Sequence, residues 1–143
     1  MSLDKFNFFY SFRVRYSEVD AQGIVFNAHY LTYFDCAMTE YLRNLKYNYS
    51  EEVKKRNEDF HVVKTLLEFR KAILFDQIID VYIRVTKVGT TSLTFYLEIH
   101  PSDLEDLLAF GEVIWVNTNQ TTHKPSKLPK YLCDKILKHE KRL

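Results

Sequence analysis

At 143 residues, with 46% apolar and 27% charged side chains, the chain is sized and composed for one globular domain with its own core. Only three Gly and three Pro exclude a disordered chain and a turn-dense barrel. A net charge of +1 gives no basis for a nucleic-acid partner or an acidic membrane surface, and Cys36 and Cys133 are too few for a disulfide framework or an all-cysteine zinc site.

In chain order, Phe6, Phe8, Tyr10, Phe12, Val14 and Tyr16 alternate with mostly polar residues, which predicts a half-buried strand over 6–16, broken only by Phe9. A loop from Ser17 to about Val25 follows. Apolar residues then recur at helical spacing (Leu31, Phe34, Met38, Tyr41 or Leu42, Leu45), predicting a helix from about Asn27 to Leu45 or Lys46 with Asn27 as its N-cap. Such a rod, ~27 Å long at ~1.5 Å per residue, is long enough to be a central element. Residues 50–58 are charged and predict a short exposed helix capped by Ser50.

Four strand candidates come next. The first, over about 61–73, is mixed in pattern. Ile79, Val81, Ile83 and Val85 alternate strictly with polar or bulky partners, as do Leu93, Phe95, Leu97 and Ile99, and Gly89-Thr90-Thr91 between them predicts a hairpin. The stretch 107–117 is apolar on both faces, so it belongs inside the sheet. After Pro129, a last amphipathic helix presents Leu132, Cys133, Ile136 and Leu137 on one face, and the basic stretch 135–143 reads as its solvated end. One strand, a long apolar helix and four antiparallel strands make an α+β domain over 1–143, its twisted five-stranded sheet wrapped around the helix.

Asp20 stands in the turn that delivers the chain into this helix. Two readings stand on local residues. Asp20 and Gly23 are common turn formers. Alternatively, helix N-terminal N–H groups favour an anion there and can hold an oxyanion beside a nucleophile or base. Other chemistries lack their signals. There is no Gly-x-Ser-x-Gly, no Gly-rich phosphate loop, and His29, His61, His100, His123 and His139 have no metal-ligand spacing, so no metal and no cofactor is expected.

The residues Asp20-Ala-Gln-Gly23-Ile-Val25-Phe26-Asn27-Ala-His29-Tyr30, together with 34–42, Gly89-Thr-Thr-Ser92 and 107–116, resemble the hotdog-fold thioesterases of the 4-hydroxybenzoyl-CoA and YbgC-like acyl-CoA type. The resemblance runs from about residue 8 to residue 132. It implies a hotdog fold, hydrolysis of an acyl-CoA, and Asp20 as the catalytic carboxylate, either nucleophile or base. It puts the backbone N–H of Asn27 at the thioester carbonyl, with Gly23 letting the loop pass close to substrate. Val25, Phe26 and Tyr30 fall on the motif's substrate side, Tyr30 chiefly as packing.

The chain departs from the family in two places. YbgC-like members usually carry His seven and Asn nine residues after the Asp; here Asn27 and His29 stand in reverse order. His29 either substitutes for that histidine or faces solvent or core. Some relatives set Arg and Lys at the strand turn to meet coenzyme A phosphates. Here Thr90, Thr91 and Ser92 occupy it as uncharged substrate-binding candidates, so ionic capture falls to Lys87, Lys71 or Arg70. Phe26, Tyr33, Phe34 and Phe60 are candidates to shape an acyl pocket, and Glu40 reads as structural or as a hydrogen-bond partner behind the site. The resemblance further implies a homo-oligomer, dimer or tetramer, joined at strand edges. No membrane span or signal peptide is read, and cytoplasmic location is expected. Two other functions stay open: a non-catalytic acyl-thioester-binding subunit, and hydrolysis of acyl carrier protein thioesters.

Overall fold

Ile79, Val81, Ile83 and Val85 are all but fully buried, and so are Leu93, Phe95, Leu97 and Ile99. The period of two in both stretches therefore becomes one continuous apolar sheet face. They belong to β3 (Ile78–Val88) and β4 (Ser92–Pro101), which pair antiparallel across the 89–91 turn. The computed structural model describes residues 3–141, so Arg142 and Leu143 of the basic tail lie outside the described residues. β5 (Ala109–Asn119) pairs with β4, β2 (Glu58–Phe69) with β5, and β1 (Phe9–Arg13) with the far side of β3. The strand order is β1-β3-β4-β5-β2, all antiparallel, and β5 is flanked on both sides as its two apolar faces require. Across the apolar face lies α1 (His29–Asn44), burying Tyr33, Phe34, Ala37, Met38, Tyr41 and Leu42. This is the expected α+β architecture, a five-stranded sheet around one long helix.

Several boundaries differ from the sequence reading. β1 is shorter, because Phe6 folds over the outer sheet face against Tyr82 and Tyr96, while Tyr16 sits in a one-turn 3-10 helix (Tyr16–Glu18) with 81% exposure. α2 (Tyr49–Arg56) is capped by Asn48, whose side chain accepts from the Glu51 N–H at 3.2 Å, and not by Ser50. β2 stops at Phe69, since the N–H groups of Arg70 and Lys71 both donate to the Leu108 carbonyl and end the ladder. On α1, Leu31 faces outward.

The last helix, α3 (Lys130–Glu140), begins after Pro129, which caps it rather than opening its first turn. Leu132 and Ile136 point inward as expected, but Leu137 is exposed and Glu140 is buried in its place. Its Oε2 accepts from the Tyr41 hydroxyl at 2.5 Å and the Val85 N–H at 2.9 Å. The carboxylate thus satisfies a β3 donor beyond the end of β1.

His100 lies on the outer sheet face, where alternation puts polar residues, yet is 1% exposed. Its Nε2 faces Glu98 Oε1 at 2.8 Å and its Nδ1 faces the Glu105 carbonyl at 3.0 Å. Both neighbours are acceptors, so the ring is satisfied only when both nitrogens carry protons. Asp80 lies directly opposite on β3, with the Tyr82 ring edge-on. Burial opposes the imidazolium, but the bonds to Glu98 and the Glu105 carbonyl outweigh it and hold the pKa above its ordinary 6.5. The stabilisation is therefore fully present below about 6.5 and is lost as pH rises through the higher folded-state value. Urea midpoints measured against pH check this. The wild type should lose stability on the alkaline side of 6.5, whereas His100→Gln should not; parallel curves would remove the imidazolium from the account.

Candidate active site

The chain leaves β1 at Val14, whose N–H donates to Gln77, and passes through the 3-10 turn. It then makes a miniature hairpin in which Val19 bridges to Val25, Asp20 N–H donates to Ile24 and Gly23 N–H to the Asp20 carbonyl. Gly23 at φ +78° closes this turn in the left-handed region that glycine adopts without strain. A Cβ there would meet no other part of the chain, so within the protein it is the turn geometry that calls for glycine. Asp20 Oδ1 accepts from the Gln22 N–H at 2.8 Å. Among the described residues, no donor occupies its other oxygen.

The hairpin's return strand is extended by residues 73–75. Val25 N–H donates to Ile73 at 2.8 Å, Phe75 N–H to Gly23 at 3.2 Å, and Ile24 bridges to Leu74. This pairing carries Phe69, Arg70, Lys71 and Ala72 to the side of the Asp20 loop. Between them opens a cleft of about 440 Å³. Asp20, Val25, Phe26, Asn27 and Tyr30 line one side; Phe69 to Ala72 line the other, with Ile24 at the base of the loop. Tyr30 is buried and meets Phe69 edge-on at 4.9 Å between ring centres; burial pushes its phenol pKa up, so it stays neutral.

α1 starts at His29, two residues later than the sequence suggests, with Ala28 at the cap position and no side chain capping it. Asn27 is therefore not the N-cap; it is exposed and borders the cleft. His29 N–H donates to Phe26 and Tyr30 N–H to Asn27. Among the described residues, the N–H groups of Asn27 and Ala28 meet no acceptor. Asp20, with one free oxygen, thus lines the same cleft as Asn27, whose N–H is unpaired just ahead of the helix. That set can activate water or attack a carbonyl carbon while the N–H holds the carbonyl oxygen.

The other candidates fall elsewhere. His29 stacks edge-on against Phe26 at 6.1 Å and does not border the cleft. Tyr33 and Phe34 are core residues, and Phe60 stacks on Trp115 at 5.1 Å, so of the proposed aromatic wall only Phe26 is present. Glu40 pairs with Arg43 on the surface. Thr90, Thr91 and Ser92 sit with Lys87 at the far end of β3, roughly 30 Å from Ile78 at ~3.3 Å per residue. There the Thr90 and Thr91 carbonyls accept from Leu128 and Asn117. Within one chain they do not meet Asp20. Two cations line the cleft with Asp20 instead: Arg70, whose guanidinium lies 4.8 Å from the centre of the Phe110 ring, and Lys71, 3.3 Å from Asp106. Ile24, Phe69 and Ala72 escaped the sequence reading. The one signal was that the apolar run of β2 breaks at Arg70-Lys71, where the chain crosses to the loop.

The profile of the Thioesterase superfamily matches residues 22–107, more than half of the chain. The chain belongs to the thioesterase superfamily. Curated relatives agree with the assignment. This thioesterase is 30% identical to the acyl-CoA thioester hydrolase YbgC of Escherichia coli over 118 residues, 82% of this chain and 87% of that protein. It is 32% identical to the acyl-CoA thioesterase YbgC of Haemophilus influenzae over 124 residues, 86% of this chain and 89% of the relative. In fold, the thioesterase overlays a solved 1,4-dihydroxy-2-naphthoyl-CoA thioesterase from Synechocystis with a TM-score of 0.85 at 18% identity, covering 90% of this chain and 94% of the other. The superfamily match itself begins two residues after Asp20 and ends before β5.

Proposed function

We propose that this thioesterase hydrolyses an acyl-CoA to the free acid and coenzyme A. The observation that carries the reading is the shared cleft of the free Asp20 oxygen and the unpaired Asn27 N–H. Asp20 attacks the thioester carbon to give a mixed anhydride that water then opens, or it takes a proton from the attacking water. In both routes the developing oxyanion is held at the helix start, the electrophile is intrinsic to the thioester, and no cofactor is needed. The acyl group lies against Phe26, Tyr30 and Phe69. The reading sets the enzyme in the cytoplasm, in keeping with unpaired Cys36 and Cys133; among the described residues no helix is long and apolar enough to cross a membrane.

Release of free thiol from a panel of acyl-CoAs and acyl carrier protein thioesters tests the proposal. Turnover on CoA esters supports it, and turnover confined to carrier-protein esters redirects it to that substrate. Measurable binding without turnover would replace it with a binding subunit.

Arg70 and Lys71 are the cations placed to meet the coenzyme A phosphates. Their double replacement by Ala should raise KM for acyl-CoA roughly tenfold and flatten its salt dependence. It should leave the N-acetylcysteamine thioester of the same acid, which has no phosphates, within about twofold of wild type. An equal loss on both substrates would assign the two residues to packing instead. Thr90, Thr91 and Ser92 contribute only if a second subunit brings them to the cleft. An oligomer is supported by the outer edge of β2, an unpaired strand that exposes Val62, Val63, Leu66 and Phe69.

A further inference from the structure

Two carboxylates in this fold are buried against a tyrosine hydroxyl of α1 and a backbone N–H. Glu140 is one, at the β3 edge. Glu18 is the other, and it lies at the root of the Asp20 hairpin. Glu18 Oε1 accepts from the Arg15 N–H and the Tyr33 hydroxyl, each at 2.9 Å, and Oε2 faces the Arg15 guanidinium at 2.5 Å. Its carbonyl accepts the Phe26 N–H at 2.9 Å. One residue therefore joins the chain before the loop, the chain after it, and the second turn of α1. Asp20 is two residues beyond Glu18, and Asn27 is one residue beyond Phe26.

We propose that Glu18 is a positioning residue for hydrolysis, fixing the Asp20 carboxylate relative to the Asn27 N–H. The inference rests on the hydrolase reading above. A two-stranded hairpin is marginal alone, and the tip of this one, Ala21 to Gly23, is exposed. Its geometry depends on what holds its base. On the outer side that is the strand at 73–75; on the inner side it is Glu18. Burial opposes the Glu18 charge, but the Arg15 N–H, the Tyr33 hydroxyl and the Arg15 guanidinium together hold its pKa below the ordinary carboxylate value. It remains a pure acceptor, and the Arg15 N–H, the Arg15 guanidinium and the Tyr33 hydroxyl all donate to it. A glutamine there either sets an NH₂ group against the fixed Arg15 N–H or loses the bond to the Arg15 guanidinium, and each outcome loosens the tie at the base of the loop.

The test compares Glu18→Gln with Glu140→Gln, which makes the same chemical change in a similar setting away from the cleft. Both variants should lower Tm. Only Glu18→Gln should lower kcat, by about 10- to 100-fold, in line with sub-ångström to ångström misplacement of reacting groups, with KM within about twofold. Only Glu18→Gln should speed amide exchange across 20–27. A kcat that falls no further than in Glu140→Gln, measured where both are folded, overturns the proposal. Absence of turnover in the wild type is instead a failure of the hydrolase reading, and amide exchange then decides alone: unchanged protection of 20–27 in Glu18→Gln rejects the positioning role. Should Glu18→Gln not fold, Tyr33→Phe removes one donor and carries the same comparison at smaller amplitude.

Discussion

Asp20→Asn should cut thioester hydrolysis by about 10³-fold, roughly 4 kcal/mol of transition-state stabilisation, while leaving the fold and substrate affinity nearly unchanged. The asparagine keeps an oxygen to accept from the Gln22 N–H, the one bond Asp20 Oδ1 makes, so the turn survives. The backbone links from Asp20 to Ile24 and Gly23 do not involve the side chain. What is lost is the free oxygen, together with its charge, its basicity and its nucleophilicity. KM should hold within about twofold because the acyl wall of Phe26, Tyr30 and Phe69 is untouched. Thiol release under saturating acyl-CoA measures the effect, and circular dichroism reports the fold. Equal rates for the two proteins would take Asp20 out of the chemistry and leave it a turn residue, the plainer of the two readings its neighbours allow.

The sheet was legible because apolar residues alternate strictly over 79–85 in β3 and 93–99 in β4 and all of them turn inward. The long helix was legible from its apolar spacing, although its first turn was not. Asn27 reads as an N-cap from residue type, but the backbone has already turned through Phe26 and Asn27 before the helix begins, leaving Asn27 at the cleft. Asp20, Val25, Phe26, Asn27 and Tyr30 could be named in advance because they are contiguous and carry a family motif. The opposite wall could not. Phe69 to Ala72 reach the cleft only through the pairing of 73–75 with 23–25, a long-range contact with no local pattern. The burial of Glu140, at the end read as solvated, and of His100 was not legible for a related reason. A charged residue near a helix end or on a polar strand face is normally solvated, and only the tertiary partners Tyr41, Val85, Glu98 and the Glu105 carbonyl make burial tolerable.

Gly111→Ala should be the most damaging small substitution in the sheet, costing about 3 kcal/mol or more and lowering Tm by roughly 10 °C. Gly111 sits on β5 between Leu67 of β2 and Leu97 of β4. A Cβ there would lie 2.2 Å from the Leu66 carbonyl oxygen and 2.7 Å from Phe34 Cε2. The Phe34 ring, though buried, can give at its tip by a small rotation; the carbonyl is fixed in the β2–β5 ladder. The shorter contact is therefore the one that cannot yield, and relief requires β2 to move off β5. That movement matters for function, because β2 runs on into Phe69, Arg70 and Lys71, and Phe34 is one turn along α1 from Tyr30. The surviving folded fraction of Gly111→Ala should accordingly lose activity beyond the loss of folded protein. A double-mutant cycle separates the two contacts. In a Phe34→Leu background, urea midpoints should show that Gly111→Ala still costs more than half of what it costs in the wild type. A substitution that became nearly neutral there would mean that the ring, and not the strand carbonyl, excludes a side chain at this position, and β2 would then keep its place beside the cleft.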